Sequence, residues 1–307
     1  MTHALPAGLV DALRTRLGER ARVAEPLARH TSFRIGGPAD VLVLPDGPEE
    51  LVDVLRATDA HGVRVTLLGG GSNVLVGDGG MRGVVVKLGR GFARITWQAD
   101  GLVRAGAAVQ LGRPARAAVK RGLGGLEYAE GIPGTVGGAV FMNAGAYGGE
   151  VAAAIHSVEG VDPATGALRE IAATALGFRY RRSDLPPGFV VTAARFRLRR
   201  DVAGVADRRM TEVRDQRIAA QPHGKANAGS IFKNPTGEAA GRLIDAAGLK
   251  GARAGRARIS ERHANFIVNE GGARAVDVKA LMDLAQRVVW ERSGVWLEPE
   301  VQLVGSW

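Results

Sequence analysis

The sequence contains no cysteine. That excludes disulfides, thiolate metal centres and a cysteine nucleophile. Aromatic residues make up only 5% of the chain, too few to interleave with basic residues as nucleic-acid binders commonly do. No run approaches the roughly 18 apolar residues of a membrane span, and no apolar segment follows a basic start as in a secretory signal. His3, His30, His61, His156, His223 and His263 have no i,i+4 histidine partner, so a helical metal-binding pair is missing. Also missing are G-x-G-x-x-G and G-x-x-x-x-G-K-[ST], the phosphate-binding signatures of the Rossmann and P-loop folds. The only Gly-Lys pair, Gly224-Lys225, is followed by alanine. These absences predict a soluble, cytoplasmic protein that binds neither membrane nor nucleic acid and holds no metal; a monomer is expected, although no sequence feature fixes the oligomeric state.

Glycine, by contrast, is abundant. It supplies 44 of 307 residues, about twice the usual share of roughly 7%. Between Glu130 and Gly149, seven of twenty residues are glycine and only Glu130 is charged. Glycine lets backbone approach a ligand closely and adopt φ > 0. Amide N–H groups exposed in such turns form concavities for phosphate. A second cluster, Gly69-Gly70-Gly71-Ser72-Asn73, follows the apolar run Val63–Leu68. Two such clusters suggest a large, phosphate-bearing cofactor on a scaffold that is neither Rossmann nor P-loop. The net charge of +10 is scattered, with its densest stretch from Lys250 to Arg262. An acidic substrate or cofactor accounts for it, and so does an arginine-rich solvated surface.

The length suits two domains with ample cores, and the texture changes near residue 200. Helices are expected over 7–17, from Pro48 to about Ala60, over 110–121, 204–220 and 238–247, and over 276–293 with Gly294 as its cap. Strands are expected at Val63–Leu68, Val84–Leu88, Arg94–Gln98, Leu102–Ala105, Phe189–Arg197, Phe266–Asn269 and Val295–Val304. Ala99-Asp100-Gly101 reads as a turn, and Ser157–Val161 with Leu168–Ile171 as a hairpin. Gln221-Pro222 opens an irregular loop running to Pro235.

Seven motifs stand in order: Thr31-Ser32-Phe33-Arg34-Ile35-Gly36-Gly37; the Gly69–Asn73 cluster; Gly131-Ile132-Pro133-Gly134-Thr135-Val136-Gly137-Gly138; Asn143-Ala144-Gly145-Ala146-Tyr147-Gly148; Tyr180-Arg181-Arg182-Ser183; Ala228-Gly229-Ser230-Ile231-Phe232-Lys233-Asn234-Pro235; and Leu297-Glu298-Pro299-Glu300-Val301. From about Thr31 onward the chain resembles the UDP-N-acetylenolpyruvoylglucosamine reductases, flavoenzymes of peptidoglycan synthesis. The short stretch between Tyr180 and Ser230 is similar to the family's shorter type, which lacks a tyrosine-bearing loop over the substrate. His30 stands where the family usually has asparagine.

The resemblance implies an α+β protein. A two-lobed FAD-binding domain of the vanillyl-alcohol-oxidase (PCMH) type would span 1–200, with lobes of about 1–90 and 91–200. An α+β substrate-binding domain would span 201–307, its last strand a candidate to return to the FAD domain. It implies FAD and NADPH as cofactors and a UDP-sugar enolpyruvyl ether as substrate. FAD-binding residues would be Arg34, Gly69, Gly70, Gly71, Ser72, Asn73, Gly131, Ile132, Gly134, Thr135, Gly137 and Gly138. Substrate-binding residues would be Tyr147, Arg217, Lys233 and Asn234. Arg181 suits a developing carboxylate charge, because a guanidinium stays charged and binds carboxylates bidentately. Ser230 would donate a proton, and Glu300 would hydrogen-bond the enolate. In a strand Glu298 and Glu300 share one face, so spacing does not separate them; the family motif favours Glu300. Two other readings stay open: an FAD-linked oxidase on the same fold, and a non-catalytic nucleotide- or nucleic-acid-binding module.

Overall fold

A computed structural model of the chain describes residues 5–202 and 204–307. They form two compact units. The first holds the residues up to Val23, Val41–Gly70 and Gly83–Gln216; the second holds Ala24–Asp40, Gly71–Arg82 and Arg217–Trp307. The expected boundary at residue 200 falls inside the first unit. Segments 24–40 and 71–82, placed by the sequence reading in the first domain, belong with the C-terminal stretch, because unit membership follows contacts between distant segments rather than chain order. Seven α-helices occur among the described residues: α1 (Ala7–Leu17), α2 (Pro48–Ala60), α3 (Gly112–Val119), α4 (Val136–Phe141), α5 (Val205–Ala220), α6 (Ala240–Ala246) and α7 (Ala275–Ser293). The expected α+β class is observed.

The first unit contains a five-stranded sheet in the order Leu168–Ala172, Ile155–Val161, Val190–Arg197, Leu102–Gly106, Ile95–Trp97. Its inner face carries Val158, Ala194, Phe196, Val103 and Ala105, all buried in one core with α3 and α4 residues. The hairpin Ile95–Trp97/Leu102–Gly106 turns at Asp100 (φ 56°) and Gly101 (φ 70°). Successive left-handed residues match the twist of a two-strand ribbon, and Asp and Gly tolerate them best. A second, four-stranded sheet runs in the order Ala21–Pro26, Pro38–Val43, Met81–Val86, Val65–Leu67. Three of its strands are where the chain passes between units. A separate core packs α1 and α2 through Leu9, Leu13, Leu17, Leu51, Val54 and Leu55.

The second unit is built on α7, whose buried stripe of Val278, Leu281, Met282, Ala285 and Val289 recurs at helical spacing. It shares a core with Phe33, Ile35, Leu75, Ile231, Phe232, Leu297 and Val301. Phe33, the aromatic residue of the first motif, is fully buried, a packing role that contributes roughly 1.5–3 kcal/mol. A three-stranded sheet, Arg253–Ala254, Ala257–Ile259 and Ile267–Asn269, lies in the same unit.

Two local features depart from what the sequence reading laid out. The glycine run after Pro133, for which no element is expected, contains a helix: Val136–Phe141 forms α4, entered by bonds from the Val136 and Gly137 amides to the Val109 and Ala107 carbonyls at 2.8 and 3.0 Å. Val295–Val304 is not one strand. Only Gln302–Val304 is regular, pairing in parallel with Val74–Val76. Upstream of it, Pro299, which has no N–H to donate, forms only an isolated bridge with Phe232.

At the start of α2, Pro48 occupies the first turn and Glu50 accepts the Asp46 amide at 2.8 Å. The same carboxylate receives two bonds from Arg20, at 2.6 and 2.8 Å. That bidentate contact, the largest cause, holds the Glu50 carboxyl down at about 2, against an ordinary value of 4.5. A carboxyl depressed in the folded state stabilises it at higher pH and loses that contribution on acidification. The difference in thermal midpoint between wild type and Glu50→Gln should therefore be full above pH 4.5 and shrink as pH falls toward 2. A difference that stays constant over that range would refute this role.

Candidate active site

The two glycine clusters meet. In the first unit a Cβ on Gly70 would lie 2.7 Å from the Gly134 Cα, and one on Gly69 would lie 3.0 Å from Thr135 Oγ1. Backbone packs on backbone here, at a distance no side chain permits. Gly131 and Gly134 take φ of 71° and 112°. The Gly137 amide is engaged by the Ala107 carbonyl at 3.0 Å, so it is not an open phosphate donor. Gly138 differs: its nearest neighbour to a new Cβ is Thr135 Oγ1 at 3.8 Å. In the second unit Gly71 sits on His30, whose carbonyl oxygen a Cβ would strike. The Gly71 carbonyl accepts the Ser32 amide at 2.9 Å.

Arg181 stands on a tight turn of the first unit. Arg179 and Arg182 exchange backbone bonds of 2.9 and 3.0 Å around Tyr180 and Arg181. Arg181 is left-handed, φ 58°, a conformation that non-glycine residues keep only when the surroundings impose it. Its Nη2 donates to the Gly145 carbonyl at 3.0 Å, and its guanidinium lies 4.7 Å from the centre of the Tyr180 ring. The turn is tied to the end of the glycine-rich run twice more. Ser183 Oγ donates to the Phe141 carbonyl at 2.9 Å, and Asn143 Nδ2 donates to the Arg179 carbonyl at 3.0 Å. Tyr147 is also left-handed, φ 51°, and its carbonyl accepts Arg209 Nη2 at 2.9 Å.

In the second unit, Ser230 and Glu300 lie on two segments that run side by side. The Glu300 amide donates to the Ile231 carbonyl at 2.8 Å, and the Lys233 amide to the Glu298 carbonyl at 2.8 Å. Phe232 and Pro299 form an isolated bridge between them. Asn265, itself 3% exposed, clamps Phe232 from both sides, accepting its N–H at 2.9 Å and donating to its carbonyl at 2.8 Å. Upstream, Asn227 Oδ1 accepts the Gly229 amide at 2.9 Å, and Ser32 Oγ donates to the Asn227 carbonyl at 2.7 Å. Asn73 Nδ2 donates to the Glu300 carbonyl at 3.0 Å. The Lys233 ammonium forms an ion pair with Glu298, which separates the two glutamates: Glu298 is the exposed ion-pair partner.

The remaining candidates are more scattered. Arg34 is exposed and left-handed, φ 54°. Ser72 is half-buried beside Gly71. Arg217 is only 7% exposed, and its Nη1 donates to Gln221 Oε1 at 3.2 Å. Asn234 Oδ1 accepts the Ala240 amide, the first of α6, at 3.1 Å. Gly69, Gly70, Gly131, Ile132, Gly134, Thr135, Gly137, Gly138, Tyr147 and Arg181 belong to the first unit; Arg34, Gly71, Ser72, Asn73, Arg217, Ser230, Lys233, Asn234 and Glu300 belong to the second.

Sequence reasoning quoted Asn143 within a motif but gave neither it nor Asn265 a role. A lone amide within an apolar or glycine-rich run is the available signal, since a buried amide must find partners. It also passed over Tyr128, buried to 6% exposure with no partner for its hydroxyl among the described residues. Burial, with Glu150 and Glu127 nearby, pushes that hydroxyl's pKa up. A groove of about 810 Å³ in the first unit, bordered by Trp97, Arg121 and Arg200, contains none of the candidate residues. Among the described residues no helix is long and apolar enough to cross a membrane.

Residues 39–172 match the FAD binding domain family, and residues 221–304 match the UDP-N-acetylenolpyruvoylglucosamine reductase C-terminal domain family. A UDP-N-acetylenolpyruvoylglucosamine reductase of Syntrophotalea carbinolica is 46% identical over 96% of this chain and 99% of its own length. One from Rubrobacter xylanophilus is 45% identical with the same two coverages. The crystal structure of the Thermus caldophilus reductase superposes with a TM-score of 0.80 at 42% identity, covering 92% of this chain and 99% of that one.

Gly70→Ala and Gly138→Ala separate the two uses of glycine. Gly70→Ala forces a backbone clash and should cost about 1–3 kcal/mol of stability. Gly138→Ala fits the protein and lies in a helix, so stability should hold while bound flavin is lost. Flavin content and thermal midpoint measured together check this. Full flavin retention in Gly138→Ala would remove Gly138 from the cofactor surface.

Proposed function

The chain belongs to the UDP-N-acetylenolpyruvoylglucosamine reductase family, and from that membership we propose that it is an FAD-dependent oxidoreductase that reduces UDP-N-acetylglucosamine enolpyruvate to UDP-N-acetylmuramate with NADPH, in peptidoglycan precursor synthesis. One observation carries the reading: an FAD-binding segment and a reductase-specific C-terminal segment stand on one chain. The protein works as a cytoplasmic monomer.

The residues present fit the flavin cofactor. In the first unit Gly69, Gly70, Gly131, Gly134 and Thr135 leave a strip of backbone that carries almost no side chain, with Ile132 on the same loop and Gly138 in the helix that follows it. Arg34, Gly71, Ser72 and Asn73 of the second unit are assigned to the flavin from family membership. Bound FAD supplies a hydride equivalent, taken from NADPH, to the terminal enolpyruvyl carbon.

The protein's own groups handle the charge and the proton. As the terminal carbon gains its hydrogen, negative charge builds on the adjacent carbon and spreads into the carboxylate. Arg181 binds that carboxylate with a fixed guanidinium, whose placement is imposed by the turn and the Gly145 carbonyl. A preorganised donor at developing charge is worth roughly 3–4 kcal/mol. Ser230 gives its hydroxyl proton to the adjacent carbon, completing reduction of the double bond. A carbanion-like enolate is basic enough to take it. Glu300, as a protonated acid kept so by the substrate carboxylate beside it, donates a hydrogen bond to the enolate, its main chain fixed by Ile231 and Asn73. Lys233, Asn234, Arg217 and Tyr147 bind the UDP and sugar portions.

Ser230→Ala should keep bound flavin and its reduction by NADPH, yet lose turnover. Wild-type turnover in Ser230→Ala would remove the serine from the proton path. Arg181→Lys should be severely impaired in the same oxidative half-reaction, since the planar fork is lost. Anaerobic reduction with NADPH followed by addition of UDP-N-acetylglucosamine enolpyruvate tests the whole reading. Rapid return of the oxidised flavin spectrum is expected. A reduced flavin that ignores this substrate and responds only to oxygen would replace the reductase with an oxidase.

A further inference from the structure

We propose that Asn143 is a positioning residue for Arg181, its buried amide holding the backbone turn on which the guanidinium is mounted. The inference rests on the reading of Arg181 as the group that meets the substrate carboxylate. Asn143 is 0% exposed, in a run otherwise made of glycine, alanine and apolar residues. Both ends of its side chain are used. Nδ2 donates to the Arg179 carbonyl and Oδ1 accepts the Ala152 amide, each at 3.0 Å. Its own backbone is left-handed, φ 43°. A residue held in that region and fully buried is there because its surroundings fix it.

The Arg179 carbonyl is the point of leverage. It also accepts the Arg182 amide at 3.0 Å, the bond that closes the turn around Arg181. A carbonyl oxygen has two lone pairs, and here one closes the turn while the other anchors it to Asn143. Two further bonds run from the turn to the same segment, Ser183 to the Phe141 carbonyl and Arg181 to the Gly145 carbonyl. That segment continues directly from α4 and the glycine run. The guanidinium is thus placed by the backbone that follows the cofactor loop. Among these ties Asn143 alone is fully buried, and so the least open to competition from water. Misplacing a reacting group by about 1 Å can cost about a hundredfold in rate.

Asn143→Asp isolates the effect, because it keeps the acceptor for Ala152 and removes only the donor to Arg179. Flavin reduction by NADPH should proceed as in wild type, while reoxidation by UDP-N-acetylglucosamine enolpyruvate should slow by about ten- to a hundredfold. Burial raises a carboxyl pKa, and the protonated acid regains a donor, so the defect should lessen as pH falls, a trend wild type lacks. Hydrogen exchange at the Arg182 amide should quicken. In an Arg181→Ala background the Asn143→Asp change should add no further loss. Ser183→Ala, which cuts a less buried tie, should show a smaller loss confined to reoxidation, and it serves if Asn143→Asp does not fold. Equal slowing of both half-reactions in both variants, or losses that multiply in the Arg181→Ala background, would overturn the proposal. So would wild-type reoxidation in both variants. If wild-type reduced flavin itself ignores the enolpyruvyl substrate, the functional reading fails instead.

Discussion

Two strips of backbone touch at Gly70 and Gly134, and neither can carry a side chain there. A close approach of this kind is directional. It fixes the separation of the Gly69–Gly70 corner and the Gly131–Thr135 loop, and with it the surface the two present. Bonds from Val136 and Gly137 to Val109 and Ala107 then launch α4. α4 in turn delivers Phe141, Asn143 and Gly145 to the turn that bears Arg181. Replacing backbone contact by side-chain contact at the first step would displace everything downstream. The abundance of glycine therefore has two causes, cofactor access and main-chain packing, and adjacent glycines in one motif serve different ones.

A second theme is the use of asparagine. Each of the three candidate catalytic residues lies on backbone gripped by an asparagine side chain: Asn143 at the Arg181 turn, Asn265 at Phe232 beyond Ser230, and Asn73 at Glu300 itself. An amide offers a donor and an acceptor in one plane without a charge to desolvate. Arginine or glutamate in these places would add a full charge close to chemistry that depends on one.

Much of the secondary structure was legible because its signals are local. Pro48 and Glu50 mark the start of α2, Gly294 ends α7 with a bond to the Trp290 carbonyl, and Asp100-Gly101 marks a hairpin turn. Short strands such as Val74–Val76 were missed because their partner, Gln302–Val304, lies at the far end of the chain. The discontinuous units were missed for the same reason. At the candidate site, motif order pointed to the residues but not to their obligations. Nothing in the spacing says that Glu298 pairs with Lys233, that the Asn234 side chain accepts the first amide of α6, or that Arg217 is buried on an otherwise polar helix. Those facts depend on neighbours brought in from elsewhere in the sequence.

The pairing of Val74–Val76 with Gln302–Val304 also bears on how the protein is made. Chains emerge from the ribosome N-terminus first, at about 5–20 residues per second. Leu75, Phe33 and Ile35 all belong to a core completed by Leu297 and Val301. Those early apolar residues thus wait for these neighbours until Leu297 and Val301 have been made. The core of the second unit closes only then, and a chain that stops short of them would leave Phe33, Ile35 and Leu75 without those partners.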